Sequence, residues 1–335
     1  MDARSASDGG GSVRPRLLCS RCLEFDSCRW DGARISDELV RRLVSFVDFV
    51  PVCPEVAIGL GVPRDPIRLV RGEAGEVELF QPASGRVLTR EMESFAGRFL
   101  DGLGEVDGAI LKFRSPSCGT SDVRVHPRGD AKGAITGKSP GLFAAAAISR
   151  LEGLPVESEG RLKNFAIREH FLTRIFSLAA FRGVRQACLQ AGTTGPLVEF
   201  HAGLKMLLMA MNREEQRRLG RLLASGLPVR DALQGYGEGL RHALARPMRP
   251  GAVVDVLLHA LGFFKDGLKP AEKALFLDAV EGFRAGRLPL SACLAVLRAW
   301  LARFDAPWLA SQAFFSPYPP GLVDIADSGK GRDLD

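Results

Sequence analysis

The pattern of apolar and polar positions changes character once along the chain, near residue 164. Before that point, short apolar runs alternate with helical spacing. Residues 16–20 (RLLCS), 49–53 (FVPVC), 107–113 and 154–157 read as strands. Residues 36–47 (SDELVRRLVSFV), 89–103 and 140–151 repeat their apolar positions every three to four residues and read as helices, with Ser36 and Thr89 as N-caps. Strand–helix alternation predicts an α/β domain with an open, mostly parallel sheet. After residue 164 the pattern is helical throughout: 165–181, 197–211, 213–225, 229–244, 252–264, 271–285 and 290–304, separated by short Gly/Pro breaks. The expected organisation is a polar tail over 1–15, an α/β domain over 16–164, an all-α domain over 165–325, and a second polar tail over 326–335.

Composition narrows the class. Of 335 residues, 46% are hydrophobic and 25% charged, enough to bury a core and too apolar for a disordered chain. The longest apolar run, residues 141–148 (GLFAAAAI), falls far short of the roughly 18 residues of a membrane span. The opening residues carry no apolar signal core, which points to the cytoplasm. Residues 1–165 hold 23 basic and 23 acidic side chains; residues 166–335 hold the other 22 of 45 basic and 16 of 39 acidic, so the whole excess of +6 falls in the helical half. A basic half suits a polyanion such as nucleic acid, although a solvated basic surface gives the same count.

Cysteine use points the other way along the chain. Five of the seven cysteines, Cys19, Cys22, Cys28, Cys53 and Cys118, lie in the α/β half, whereas Cys188 and Cys293 sit in helical context and read as packing residues. An odd count without a secretory signal argues against a disulfide framework. Cys22 and Cys118 each follow a predicted strand, and Cys53 ends one. A parallel sheet brings the carboxyl ends of its strands to one edge, where ligands bind, so these three thiols converge. Their spacing is too wide for a zinc ribbon, and Cys19-x2-Cys22 is half a knuckle without a second pair.

Three segments carry a resemblance. Residues 22–32 (CLEFDSCRWDG), 52–66 (VCPEVAIGLGVPRDP) and 111–119 (LKFRSPSCG) together resemble the thiouracil desulfidase (TudS) family. In the first segment Glu24-Phe25 stand where the family favours Leu-Gly, and Trp30 stands where it favours Tyr; Phe25 is expected to narrow the cavity. In the helical half, residues 195–210 (GPLVEFHAGLKMLLMA), 259–265 (HALGFFK) and 311–320 (SQAFFSPYPP) resemble the YbgA-type domain. The fused order is similar to that of tRNA 4-thiouridine desulfidases.

The resemblance implies a [4Fe–4S] cluster held by Cys22, Cys53 and Cys118, soft thiolate ligands that leave one iron open to a thiocarbonyl sulfur. It implies non-redox removal of sulfur from a thiolated pyrimidine, 4-thiouridine in tRNA or free thiouracil. Glu55, two residues beyond Cys53, is the candidate base, and Ser115 and Ser117 beside Cys118 are candidates to orient water or the ring. Arg64, Lys112 and Arg114 lie near the same edge as candidate contacts to phosphate or a ring oxygen. Cys28 reads as a spectator thiol or a transient sulfur acceptor. In the helical half, His201 and Lys205 share a helix face and are candidate RNA contacts or packing residues, as are Glu199, His259 and Lys265. A reading of another class remains at this stage: a non-catalytic module with structural zinc that binds nucleic acid or protein.

Overall fold

The computed structural model describes residues 13–128 and 135–324. The tail expected over 326–335, and all but the last three residues of the tail over 1–15, lie outside them. In chain order the first part comprises β1 (Arg16–Ser20), α1 (Glu38–Leu43), β2 (Asp48–Val52), α2 (Pro54–Ala57), β3 (Arg68–Arg71), β4 (Val77–Gln81) and β5 (Arg86–Val87). It continues with α3 (Thr89–Gly102), β6 (Gly108–Leu111), β7 (Val123–Pro127), β8 (Gly137–Ser139), α4 (Leu142–Arg150) and β9 (Val156–Ser158).

Two sheets form. The first has the order β2-β1-β6-β9, and every pairing in it is parallel. It is the sheet expected from the strand–helix alternation. Its order reverses at β1, from which the chain steps to β2 on one side and later to β6 on the other, and a ligand crevice belongs at that switch point. The second sheet, β5-β4-β3-β7-β8, is antiparallel except where β3 meets β7. Sequence reading passed over it. Its strands are two to five residues long and its β3–β7 pairing joins segments far apart in sequence, so no local period announces it.

The core of this part lies between the sheets and α3 and α4. Leu18, Leu69, Leu79, Leu88, Met92, Leu111, Val125 and Phe143 are buried in one cluster. Phe143 packs against Phe95 and Phe99 with ring centroids at 6.1 and 5.9 Å, and burial of each such side chain contributes about 1.5–3 kcal/mol. Two caps differ from expectation. Asp37, not Ser36, caps α1 by accepting from the Val40 N–H at 3.0 Å. Thr89 instead accepts from the Leu79 N–H at 3.0 Å, tying the start of α3 to β4.

The second part is helical, as predicted: α5 (Phe165–Ala191), α6 (Gly195–Met211), α7 (Arg213–Ala224), α8 (Val229–Ala243), α9 (Pro250–Gly262), α10 (Pro270–Arg284), α11 (Leu290–Arg303) and α12 (Pro307–Ala310). Helix α5 runs ten residues beyond its expected end at 181. Tyr236, fully buried, packs on Phe181 and Phe200 at 5.6 and 6.1 Å. Among the described residues, 14–179 with 321–324 form one compact unit and 180–320 with Val13 another, the division falling within α5. No helix among the described residues is long and apolar enough to cross a membrane.

Candidate active site

Three strand ends of the parallel sheet build one cavity of about 210 Å³. Cys22 follows β1, Cys53 follows β2 as the residue before α2, and Cys118 closes the loop after β6; all three line the cavity. They enter from separate strand ends: among the described residues no three His, Cys, Asp or Glu side chains gather tightly enough to hold a single metal ion. Burial pushes the Cys22 thiol up to about 12, with the neighbouring Cys53 adding to the effect and Lys112 opposing it. Burial also raises Cys118 well above the usual thiol range, against a hydrogen bond with Ser20.

Cys28 is a fourth thiol on this cavity. It is buried, its carbonyl oxygen lies 3.7 Å from Cys53 Sγ, and burial followed by the charge of Cys53 pushes its thiol up to about 12. Cys19 points into the core from β1, fully buried, as do Cys188 and Cys293 in the helical part.

The loop that carries Cys118 is held by close backbone packing. Arg114, with φ of 57°, turns the chain out of β6 through the left-handed region, which a non-glycine residue adopts at a cost. The start of α4 then anchors the loop. Leu142 N–H donates to the Pro116 carbonyl at 3.2 Å, Ala144 N–H to the Ser117 carbonyl at 2.9 Å, and Gly141 N–H to the Gly119 carbonyl at 2.8 Å. Helix N–H groups that have no partner within the helix are thereby satisfied. A Cβ on Gly141 would sit 2.5 Å from the Ser117 carbonyl carbon, so only glycine permits this approach.

Glu55 lines the same cavity as the three thiols and is bonded on both oxygens. Its Oε2 accepts from Arg64 Nε at 2.9 Å and Nη2 at 2.6 Å; its Oε1 accepts from Ser117 Oγ at 3.0 Å and Ser115 Oγ at 3.4 Å. Arg64, whose side chain is 4% exposed, also donates to the carbonyls of Cys28 at 3.0 Å and Gly61 at 2.9 Å. Arg64 therefore lines the cavity as expected, but its fork is spent on orienting Glu55 and its surroundings, a role the sequence did not suggest. Ser115 lines the cavity and also accepts from the Ser117 and Cys118 N–H groups, both at 3.2 Å. Ser117 is fully buried behind it.

Lys112 lines the cavity, donates to the Phe113 carbonyl at 3.1 Å and pairs with Glu159. Arg114 lies at the rim, over the Phe113 ring at 4.7 Å and 3.3 Å from Asp122. Phe25 does not narrow the cavity. It packs against Phe49 with the rings tilted and their centroids 5.1 Å apart, and Trp30 and Phe113 line the cavity instead. His201 and Lys205 do not line this cavity. His201 Nδ1 is 3.1 Å from the Tyr236 hydroxyl, and Lys205 lies over the Trp308 ring at 5.9 Å.

Comparison with known proteins follows the same division. A family model described as 2-thiouracil desulfurase matches residues 17–159, and one described as a protein of unknown function (DUF1722) matches residues 205–319. The uncharacterized protein YbgA of Escherichia coli (strain K12) is 26% identical over 161 residues, which cover 47% of this chain and 93% of YbgA. The uncharacterized protein YbbK of Bacillus subtilis (strain 168) is 30% identical over 155 residues, 44% of this chain and 98% of YbbK. A solved structure of a [4Fe-4S]-dependent thiouracil desulfidase TudS shares 28% identity, covers 44% of this chain and 93% of its own, and superposes with a TM-score of 0.35. Through residues 17–159 the chain belongs to the 2-thiouracil desulfurase family, with a DUF1722 domain following.

Proposed function

We propose that the chain is a [4Fe–4S]-dependent desulfidase that converts a thiolated pyrimidine and water into the oxo-pyrimidine and hydrogen sulfide, with 4-thiouridine in tRNA as the substrate. The observation that carries this reading is the convergence of Cys22, Cys53 and Cys118 on one cavity that Glu55 also lines. The donor set fits the cluster: thiolates are its soft ligands, and thiols set on separate strand ends suit a group in which each sulfur takes its own iron. Bound on three thiolates, the cluster supplies an iron without a protein ligand, a soft Lewis acid for the thiocarbonyl sulfur.

The chain's own residues supply the rest. Glu55 takes the proton of the attacking water and returns it toward the ring or the departing sulfide, so no net redox change is required. Arg64 and Ser117 position that carboxylate from the two sides, and Ser115, which reaches the cavity, orients the water or the pyrimidine. Lys112, on the cavity wall, is the contact for a ring oxygen in this reading. The domain bounds that go with this reading are 16–164 for catalysis and 165–325 for the helical domain. The basic excess of residues 166–335 supports a polyanionic substrate.

A second reading, desulfuration of free thiouracil, is favoured by the description of the family model. Salt separates the two, because affinity for tRNA falls steeply with ionic strength and affinity for a free base does not. The first experiment is iron and acid-labile sulfide analysis of full-length protein purified without oxygen, followed by assays on thiolated tRNA and on free thiouracil. About four irons per chain are expected, with sulfide released from the tRNA. A protein that stays colourless after anaerobic reconstitution and carries zinc would sink the reading.

A further inference from the structure

The helical part carries a groove that the chemistry above does not use. It lies between α5 and α8, within the unit of residues 180–320, and encloses about 340 Å³. Spacings of four, three and four residues set Arg230, Gln234, Gly237 and Arg241 on one face of α8, and all four line the groove. Phe181 and Arg185, four apart on α5, form the opposite wall. Gly237 lets the two helices close on each other. A Cβ there would stand 2.9 Å from Phe181 Cε1, so the ring packs against bare backbone. Arg241, one turn further on, folds back over that floor, with its Nη1 3.8 Å from the same Cβ position.

Three guanidinium groups line this groove, and among the described lining residues there is no carboxylate. Arg185 already has a partner within the fold. Arg230 and Arg241 differ: among the described residues neither side chain makes a hydrogen bond or an ion pair. Other arginines of the same unit do pair, Arg213 with Asp255, Arg218 with Glu215, Arg284 with Glu281 and Arg303 with Glu272. The acids of α8 do not answer the two. Glu238 accepts from Gln234 Nε2 at 3.2 Å, and neither Glu238 nor Asp231 lines the groove. Arg230 is exposed and Arg241 half-buried. Cations gathered partly out of water without a counter-ion repel one another, and an entering anion removes that penalty. The guanidinium fork matches the oxygens of a phosphate in pairs.

We propose that this groove is a phosphate-binding site for the backbone of the RNA substrate, with Arg230 and Arg241 each taking one phosphate of the same strand. Spacing selects a strand over a single ion. Gly237, over which Arg241 folds, lies seven residues from Arg230, about 10.5 Å along the helix axis. One phosphate does not span that distance, whereas successive phosphates of a strand do. The inference rests on the tRNA reading for the identity of the strand and adds the place where the helical part holds it. It also gives a location to part of the basic excess of residues 166–335.

The test uses the full chain loaded with its cluster and a fluorescent tRNA containing 4-thiouridine. Affinity is measured by anisotropy between about 50 and 200 mM salt. Arg230→Gln with Arg241→Gln is expected to weaken binding about tenfold at low salt. Loss of two phosphate contacts should also shrink the logarithmic salt slope by about 1.4–1.8. Iron content and kcat at saturating tRNA should stay at their wild-type values, since neither arginine lines the catalytic cavity. Arg230→Gln alone, at an exposed position, should shrink the slope by about half as much and reads the site should the double variant fail to fold. An unchanged affinity and slope in the folded variants would overturn the site. Inorganic phosphate, compared with chloride at matched ionic strength in thermal unfolding, separates the sources. Stabilisation by phosphate that the double variant loses, with tRNA binding unchanged, would assign the groove to a free ion and overturn the strand. Absence of wild-type turnover on both thiolated tRNA and thiouracil, with the slope effect intact, would instead overturn the desulfidase reading and leave the groove standing.

Discussion

At the residue scale the site is a carboxylate held on both oxygens in one cavity with three thiols. Serine in place of Cys22, Cys53 or Cys118 substitutes a hard hydroxyl for a soft thiolate. Each of these variants should lose most of its iron, whereas Cys188→Ser and Cys293→Ser, at buried positions in the helical part, should keep it. Full iron content in Cys53→Ser would remove it from the ligand set. Glu55→Gln should retain the cluster and lose turnover by about 10²–10⁴, the usual contribution of a positioned base; wild-type turnover would end its role. Arg64 is a positioning residue. Arg64→Ala leaves a buried carboxylate without its partner, at a cost of about 3–5 kcal/mol. Arg64→Lys keeps the charge but not the two-pronged grip on Oε2, so it should lower kcat more than it raises KM, with iron content unchanged.

At the scale of elements, the loop bearing Cys118 depends on α4. Gly141→Ala forces a side-chain carbon into the Ser117 carbonyl, so the loop must retreat from the helix start. Reduced iron content with the helical part still folded is the expected result, read by iron analysis and circular dichroism. In the helical part, α7 is tied to α8 by Glu215, which accepts from Arg218 Nε at 2.7 Å and lies 2.9 Å from His242 Nδ1. Burial raises the carboxyl of Glu215, but these two partners outweigh it and hold it below the usual carboxylate range. A depressed folded value contributes stability above the unfolded pKa, near 4.3, that is lost as pH falls through the folded value. Thermal unfolding of the full chain should therefore weaken on acidification through that range, and Glu215→Gln should flatten that limb. An identical acid limb in the variant would rule out this tie.

At the scale of the whole molecule, a group that binds only the folded state stabilises it in proportion to its affinity. Cluster removal should thus loosen the α/β unit at the ends of β1, β2 and β6, measured as faster amide exchange there, and leave α6–α11 at their holo rates. Equal acceleration in both units would mean that the cluster supports more than the strand ends. The charge count belongs to this scale too: residues 1–165 are balanced in total, and the whole excess of +6 falls in residues 166–335.

Much of this was legible in the chain itself. Helical periodicity gave six helices of the second part to within two residues at each end, and the start of α5, because each buries an apolar stripe that repeats with the helix turn. The strands that lead to Cys22 and Cys118 were legible because β1 and β6, buried on both faces, leave continuous apolar runs. The second sheet was not, since its short strands carry charges on one face and pair across long stretches of chain. The task of Arg64 was equally hidden: the eight residues between Glu55 and Arg64 say nothing of a buried ion pair, which exists only once the loop folds back. Sequence by itself determined which segments are helices and which thiols stand at the ends of strands, because local period and side-chain type are properties of the chain. Tertiary structure alone decided what each charge faces, because electrostatic partners are chosen by distance in space, and distance in space is set by how the sheets pair.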